Sequence, residues 1–270
     1  MSEKYQLVFD VGNTRVGVAF FQQDIIVETA HFMNNSLNEG NLESLLKGKE
    51  VNIALVGSVH YRVGLFILQF LKKNNIKVIE PATEKLSIIL DVENPKEVGA
   101  DRIASTYGAL YSHPGCDIIV IDIGTTVVFD VIAKERRFLG GAIAPGPYLS
   151  AKTLADNADL LPLVEVRKPK SPVSKTTQGN IQSGIYYGLT GMIEKLVKEI
   201  KSLFFGSGNA IVIATGGLSA SADEPESSVF AKFRSELEND LKTIVDFFEP
   251  DLTFFGYHEI LKENFSNEEE

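Results

Sequence analysis

LVFDVGNTRVGVAFF, residues 7–21, returns as IVIDIGTTVVFDVIA, residues 119–133, without a gap. Val8, Asp10, Gly12, Thr14 and Val16 recur as Val120, Asp122, Gly124, Thr126 and Val128, and apolar residues fill most of the remaining positions. Each copy reads as a strand, a polar glycine turn and a second strand, because β-branched and aromatic runs broken by Gly with Asn or Thr are what a hairpin requires. A duplicated hairpin implies a duplicated domain.

Working outward, both halves alternate strand and helix. VNIALVG (51–57) is a continuous apolar run suited to a strand covered on both faces, followed by a helix over 62–74 and a strand at 76–80. In the second half a long helix begins near Gln178. Its apolar stripe is Ile181, Ile185, Leu189, Ile193, Leu196, Ile200 and Leu203. A buried strand at 210–215 and a helix over roughly 227–247 complete the pattern, which is α/β layering in each half. The Ser-His-Pro-Gly stretch at 112–115 marks the boundary, giving domains 1–114 and 115–270. Residues 167–177 form the longest loop, and the NEEE tail is expected to fray.

At 270 residues the chain is long enough for two cores, and its 44% hydrophobic and 23% charged content is that of a globular protein. A formal net charge of −10 argues against a nucleic-acid or anionic-membrane surface. No signal peptide or membrane-spanning run is read, and the single cysteine, Cys116, excludes an internal disulfide and fits a cytoplasmic location. His31, His60, His113 and His258 show no ligand spacing and read as structural or surface residues.

Several segments carry possible chemistry. Asp10-Val11-Gly12-Asn13-Thr14 sets a carboxylate at a strand end before a tight polar turn able to wrap a phosphate, with Asp10 placed to hold Mg2+. Taken alone it reads more readily as an ordinary Asn/Gly hairpin turn, which is common punctuation in β structure. The second copy, Asp122-Ile123-Gly124-Thr125-Thr126, strengthens the phosphate reading. Asp122 also lies in an apolar strand, where an ionised carboxylate needs a cation or hydrogen bonds. Ala214-Thr215-Gly216-Gly217 leaves bare backbone for an adenine or ribose, or is a plain strand-to-helix turn. Gly99-Ala100-Asp101-Arg102 opens a helix over 103–111, offering a base in Asp101 and a planar donor in Arg102; a simple helix start explains it equally. Gly140-Gly141 and Pro145-Gly146-Pro147 shape a substrate floor or a connecting loop.

Together these motifs resemble the type III pantothenate kinases, a group that includes proteins labelled Bvg accessory factor. DVGNTRVG (10–17) is similar to that family's first phosphate loop, NPKEVGADR (94–102) to its substrate motif and IDIGTTVVFDVI (121–132) to its second phosphate loop. GGAIAPG (140–146), TTQGNIQSGIYYG (176–188) and ATGG (214–217) follow in the family's order. The resemblance implies an actin-like ATPase (ribonuclease H-like) fold of two duplicated α/β domains with a nucleotide cleft between them. It also implies ATP-dependent phosphorylation of pantothenate, the first step of coenzyme A synthesis. Asp10, Val11, Gly12, Asn13, Thr14, Arg15, Val16, Gly17, Thr125, Gly216 and Gly217 would serve ATP, with Mg2+ at Asp10. Asp101 would be the base, Gly99, Ala100, Arg102 and Val92 would line the pantothenate site, and Asp122 would bind K+ or NH4+. Thr177 would contact pantothenate from the partner subunit of a homodimer. Val92 stands where the family usually has Tyr, and Thr126-Val127 where it has Ala-Thr. Two other readings use the same fold: a kinase or phosphatase for another small substrate, and a catalytically weak nucleotide-binding regulatory protein.

Overall fold

The computed structural model of the protein describes residues 4–79, 81, 86–206, 209–217 and 229–266. Residues up to Pro114 carry β1 (Tyr5–Val11), β2 (Arg15–Gln22), β3 (Ile25–Met33), α1 (Glu39–Leu46), β4 (Val51–Ser58), α2 (Tyr61–Lys73), β5 (Lys77–Ile79), β6 (Ile89–Leu90) and α3 (Ala100–Ser112). Residues Gly115–Asp251 carry β7 (Ile118–Ile123), β8 (Thr126–Ala133), β9 (Arg137–Pro145), α4 (Pro147–Asn157), α5 (Thr177–Phe204), β10 (Ile211–Thr215), α6 (Val229–Leu241) and β11 (Phe247–Phe248). Then comes α7 (Leu252–Ser266).

The chain forms two compact units, and the first combines the segment ending at Pro114 with the segment starting at Leu252. This corrects the expectation that everything after residue 114 forms the second domain: α7 packs on α3, β1 and β4. A second correction concerns the helix expected over 227–247. It ends at Leu241, and the chain turns into β11, whose Phe248 pairs with Ala214 of β10. Residues 227–228, Glu80 of the expected strand and the NEEE tail lie outside the described residues.

The duplication is visible strand by strand. In the first unit the order is β3-β2-β1-β4-β5, and in the second β9-β8-β7-β10-β11 leads through the same path. In each, three antiparallel strands are followed by two that run parallel to the first. Parallel neighbours need a crossover; α2 joins β4 to β5 and α6 joins β10 to β11, while the β1-to-β4 and β7-to-β10 connections pass through α1 and through α4 and α5.

Alternation along β1 assigns its two faces. Leu7, Phe9 and Val11 join Val16, Val18, Phe20, Ala54 and Val56 against α1 and α2, through Leu42, Leu45, Ile67, Phe70 and Leu71. The opposite face receives α7. Phe21 stacks on His258 with ring centroids 4.0 Å apart, and His258 Nε2 lies 2.6 Å from Gln6 Oε1. Burial holds this imidazole neutral by lowering its pKa to about 4. The second core packs Ile119, Ile121, Ile123 and Phe129 against α5 and α6. On α5 the buried stripe runs Ile181, Ile185, Leu189, Ile193, Val197 and Ile200; Leu203, expected to close it, is 76% exposed.

The seat of α7 on α3 depends on two glycines. A β-carbon at Gly256 would lie 1.7 Å from the Ala104 carbonyl oxygen, and one at Gly108 would lie 2.2 Å from that of Leu252. Both obstacles are backbone and cannot rotate away. Gly256→Ala is therefore expected to destabilise the first unit by about 3 kcal/mol or more, read as a lower denaturation midpoint in urea; an unchanged midpoint would show that the two helices do not pack backbone to backbone.

Candidate functional site

The first polar turn is built by the end of β1. Gly12 N–H donates to Arg15 O at 3.0 Å and so closes the hairpin itself. Asn34, just past β3, holds the turn from outside: its Nδ2 donates to Gly12 O and Asn13 O, each at 3.0 Å, and its N–H donates to Thr14 O at 3.0 Å. Asn13 and Thr14 are left facing solvent. Sequence reasoning missed Asn34, although an Asn-Asn pair directly after a strand is a turn signal.

Asp10 lies in a cross-strand row. Gly17 of β2 is its partner on one side and Gly57 of β4 on the other, and His31 of β3 is the partner of Gly17. Cross-strand partners share a face of the sheet. Rings from α7 fill the space the two glycines leave: a β-carbon at Gly17 would lie 2.7 Å from Phe254 Cζ, and one at Gly57 2.0 Å from Tyr257 Cζ.

Asp101 stands in the first turn of α3, behind the N-cap Gly99. Its Oδ1 accepts from Arg102 N–H at 2.8 Å. A β-carbon at Gly99 would lie 2.5 Å from that oxygen and 3.5 Å from Val59 Cγ1. Val59 N–H in turn donates to Val11 O at 3.0 Å, so the start of α3 sits at the C-terminal ends of β4 and β1, beside the Gly12 turn. Burial raises the Asp101 pKa above its ordinary 3.8, against the lowering effect of the Arg102 amide and guanidinium. Ala100 and Arg102 are half-buried around it. Val92 is half-buried ahead of the short 3-10 turn Pro95–Glu97.

In the second unit three predicted segments meet. Gly124 N–H donates to Thr126 O at 2.9 Å, and Gly146 N–H donates to Thr125 O at 2.9 Å. Asp122 pairs in register with Thr215. Gly216, at φ +94°, passes so near Asp122 that a β-carbon there would lie 2.0 Å from Asp122 Oδ1; Gly217 follows, half-buried. Thr215 Oγ1 is buried and has no hydrogen-bond partner among the described residues. Thr177 stands elsewhere, exposed as the first residue of α5, where Thr176 Oγ1 caps the helix by accepting from Gly179 N–H at 3.1 Å.

The two turns are not copies in detail. Val11 pairs with Val16 across the first, but Ile123 pairs with Val127 across the second, so the second loop is one residue shorter. Asp10 accordingly faces Gly17 while Asp122 faces Val128, a register change that the ungapped repeat conceals.

Asp24, His258 and Glu259 also present ligand atoms within 4.8 Å of one another. The Lys262 ammonium pairs with both carboxylates, 2.7 Å from Asp24 Oδ1 and in contact with Glu259, and so already occupies the cluster with a cation. Among the described residues no helix is long and apolar enough to cross a membrane.

Comparison with known proteins adds identity to this geometry. The sequence profile of type III pantothenate kinase matches residues 6–199. A type III pantothenate kinase of Legionella pneumophila (strain Corby) is 34% identical over 235 residues, covering 81% of this chain and 90% of its own. Type III pantothenate kinase 2 of Francisella tularensis subsp. holarctica (strain OSU18) is 31% identical over 226 residues, covering 78% and 85%. In fold, the chain is similar to a Baf family protein from Campylobacter jejuni, with TM-score 0.55, 20% identity and coverage of 96% and 98%. MreB5 of Spiroplasma citri, solved bound to ADP, superposes at TM-score 0.50 with 11% identity and coverage of 98% and 99%. The architecture is the actin-like ATPase fold.

Gly146 is the tightest point of the second turn, since a β-carbon there would lie 2.2 Å from Gly124 O and 2.6 Å from Thr125 O. Gly146→Ala is expected to displace that turn and cost about 1–3 kcal/mol. Hydrogen exchange should quicken at Gly124 and Thr126; unaltered exchange with unaltered stability would contradict the clamp.

Proposed function

Because the chain belongs to the type III pantothenate kinase family, and so phosphorylates pantothenate with ATP in the opening step of coenzyme A synthesis, we propose that Asp101 is its catalytic base. The observation that carries this is the half-buried Asp101 carboxylate, folded back over Gly99 beside the Gly12 turn, with its pKa raised by desolvation. A raised pKa makes a carboxylate a better proton acceptor. Asp101 takes the proton of the pantothenate primary hydroxyl as the oxygen attacks the γ-phosphorus, ADP leaves and 4'-phosphopantothenate forms. Arg102, a planar two-pronged donor, suits the pantothenate carboxylate. Gly99, Ala100 and Val92 line the same pocket. Phosphoryl transfer asks mostly for positioning and charge neutralisation, which is what these groups supply.

Residues 10–17, Thr125, Gly216 and Gly217 are assigned to ATP. Gly12 N–H and Gly124 N–H close their turns, and the phosphate contacts are assigned to Asn13, Thr14 and Thr125. Asp10, a half-buried carboxylate at a strand end, fits the oxygen-ligand preference of Mg2+. The magnesium neutralises phosphate charge when bound. Asp122 with the unpartnered Thr215 hydroxyl beside it offers the oxygen set that K+ or NH4+ takes.

A homodimer is supported by α5, where no heavy atom lies within 4 Å of a β-carbon placed at Gly184, Gly188 or Gly191, with Tyr187 exposed beside them. Backbone-close packing of a second copy fits such a face. In that dimer Thr177 contacts pantothenate. The cytoplasm is the assigned location. A weakly active regulatory role is not favoured, since relatives at 31–34% identity are kinases.

Two outcomes are expected from ADP release coupled to a reporter, with MgATP and K+, with and without pantothenate. Asp101→Asn should lose on the order of a hundredfold or more in turnover while keeping ADP affinity; full turnover would remove Asp101 from the role. In the unaltered enzyme kcat/KM should fall on the acid side with a midpoint above the ordinary aspartate value of 3.8, because protonation of a carboxylate whose pKa is raised begins at higher pH. A midpoint at or below 3.8 would assign the base elsewhere.

A further inference from the structure

Tyr257 has a hydroxyl the proposed mechanism does not use. It projects from α7, whose seat on α3 was described above, and its ring end lies over Gly57 with Oη 2.2 Å from where a β-carbon would be. The residue is 0% exposed, and its hydroxyl has no hydrogen-bond partner among the described residues. A buried hydroxyl without a partner is a standing cost to stability, on the order of a lost hydrogen bond. Such a group invites a functional explanation.

Its surroundings supply one. Gly57 is the register partner of Asp10, so the phenol end and the Asp10 side chain leave the same face of the sheet from adjacent strands. Neighbouring strands lie about 5 Å apart, which puts the hydroxyl within one side-chain rotation of the Asp10 carboxylate. On the other flank, Phe254, one helical turn before Tyr257, covers Gly17. Asp10 therefore emerges between two rings of α7, one apolar and one carrying a donor. A tyrosine hydroxyl is a donor, and an ionised carboxylate offers acceptors only.

We propose that Tyr257 is a positioning residue for Asp10: its hydroxyl, unpartnered among the described residues, donates to the Asp10 carboxylate when Mg2+ is bound and fixes the oxygen that the metal takes. The Phe254 ring closes the other flank, over Gly17. An outer partner of this kind orients the ligand and raises its affinity for the metal. The inference rests on the assignment of Asp10 to magnesium.

The test is Tyr257→Phe, which removes the oxygen and keeps the ring on Gly57. ADP affinity is measured by calorimetry with Mg2+ and with EDTA, alongside Tm, the KM for MgATP and for pantothenate, and kcat. The expected result is a loss of about tenfold in the magnesium-dependent gain in ADP affinity, with the EDTA value unchanged. The KM for MgATP should rise, that for pantothenate should hold, and Tm should be equal or higher because no native hydrogen bond is lost. An unchanged magnesium gain overturns the proposal. So does a lower Tm with equal loss of ADP affinity in both buffers, which would make Tyr257 a packing residue. Asp10→Asn, run in parallel, separates the two assignments: if it keeps the magnesium gain, Asp10 is not the ligand, whatever Tyr257 does.

Discussion

The first unit hangs on the places where a side chain is missing. Gly17 and Gly57 flank Asp10 on the sheet, and Gly108 and Gly256 face each other's helices. A methyl group would meet the rings of α7 at Gly17 and Gly57, and backbone at Gly108 and Gly256. Ring and backbone fill the vacated volume at contact distance, so the fit is dense as well as close. The same four positions bring Phe254 and Tyr257 down on either side of the carboxylate. Helix packing and the setting of Asp10 are thus one constraint.

The second unit solves a similar problem with different means. Among the described residues no helix equivalent to α7 lies in it; the chain segment that follows β11, in the place where α3 follows β5 and β6, belongs to the first unit. Its carboxylate, Asp122, is instead approached by backbone, through Gly216 at positive φ, and by the Thr215 hydroxyl. Duplication supplied two similar hairpins, and the one-residue change in the turn let them diverge.

Much of this was readable from sequence, for reasons that can be named. The hairpins announced themselves because strand alternation and Gly-Asn or Gly-Thr turns are local signals, and α5 because one face is buried and the other is not. By contrast α7 left no stripe. Leu252, Phe254, Tyr257, His258, Ile260 and Leu261 are all buried, since the helix touches both a sheet and another helix, and a helix covered on several sides loses its period. The two-residue strand β11 is too short to leave a pattern, so the helix before it was read too long. Asp10, Asp101 and Asp122 were visible as acidic residues at glycine turns, but Asn34, Thr215 and Tyr257 gain their significance from partners 22, 93 and 247 residues away: Gly12, Asp122 and Asp10. No spacing rule reaches that far.

The return of α7 also sets an order on biosynthesis. Residues 115–251 are an insertion within the first unit, and a ribosome delivers their strands and helices before Leu252–Ser266 emerges. The inserted unit can therefore complete its core while the first is still waiting for its final helix. Until then Val8, Phe21 and Leu55, all buried in the finished protein, have an uncovered face. Nascent chains with exposed apolar surface are the ones that chaperones bind and proteases cut. A chain terminated shortly before Leu252 would thus hold one finished unit and one permanently open one, and the cell would recognise it by the second.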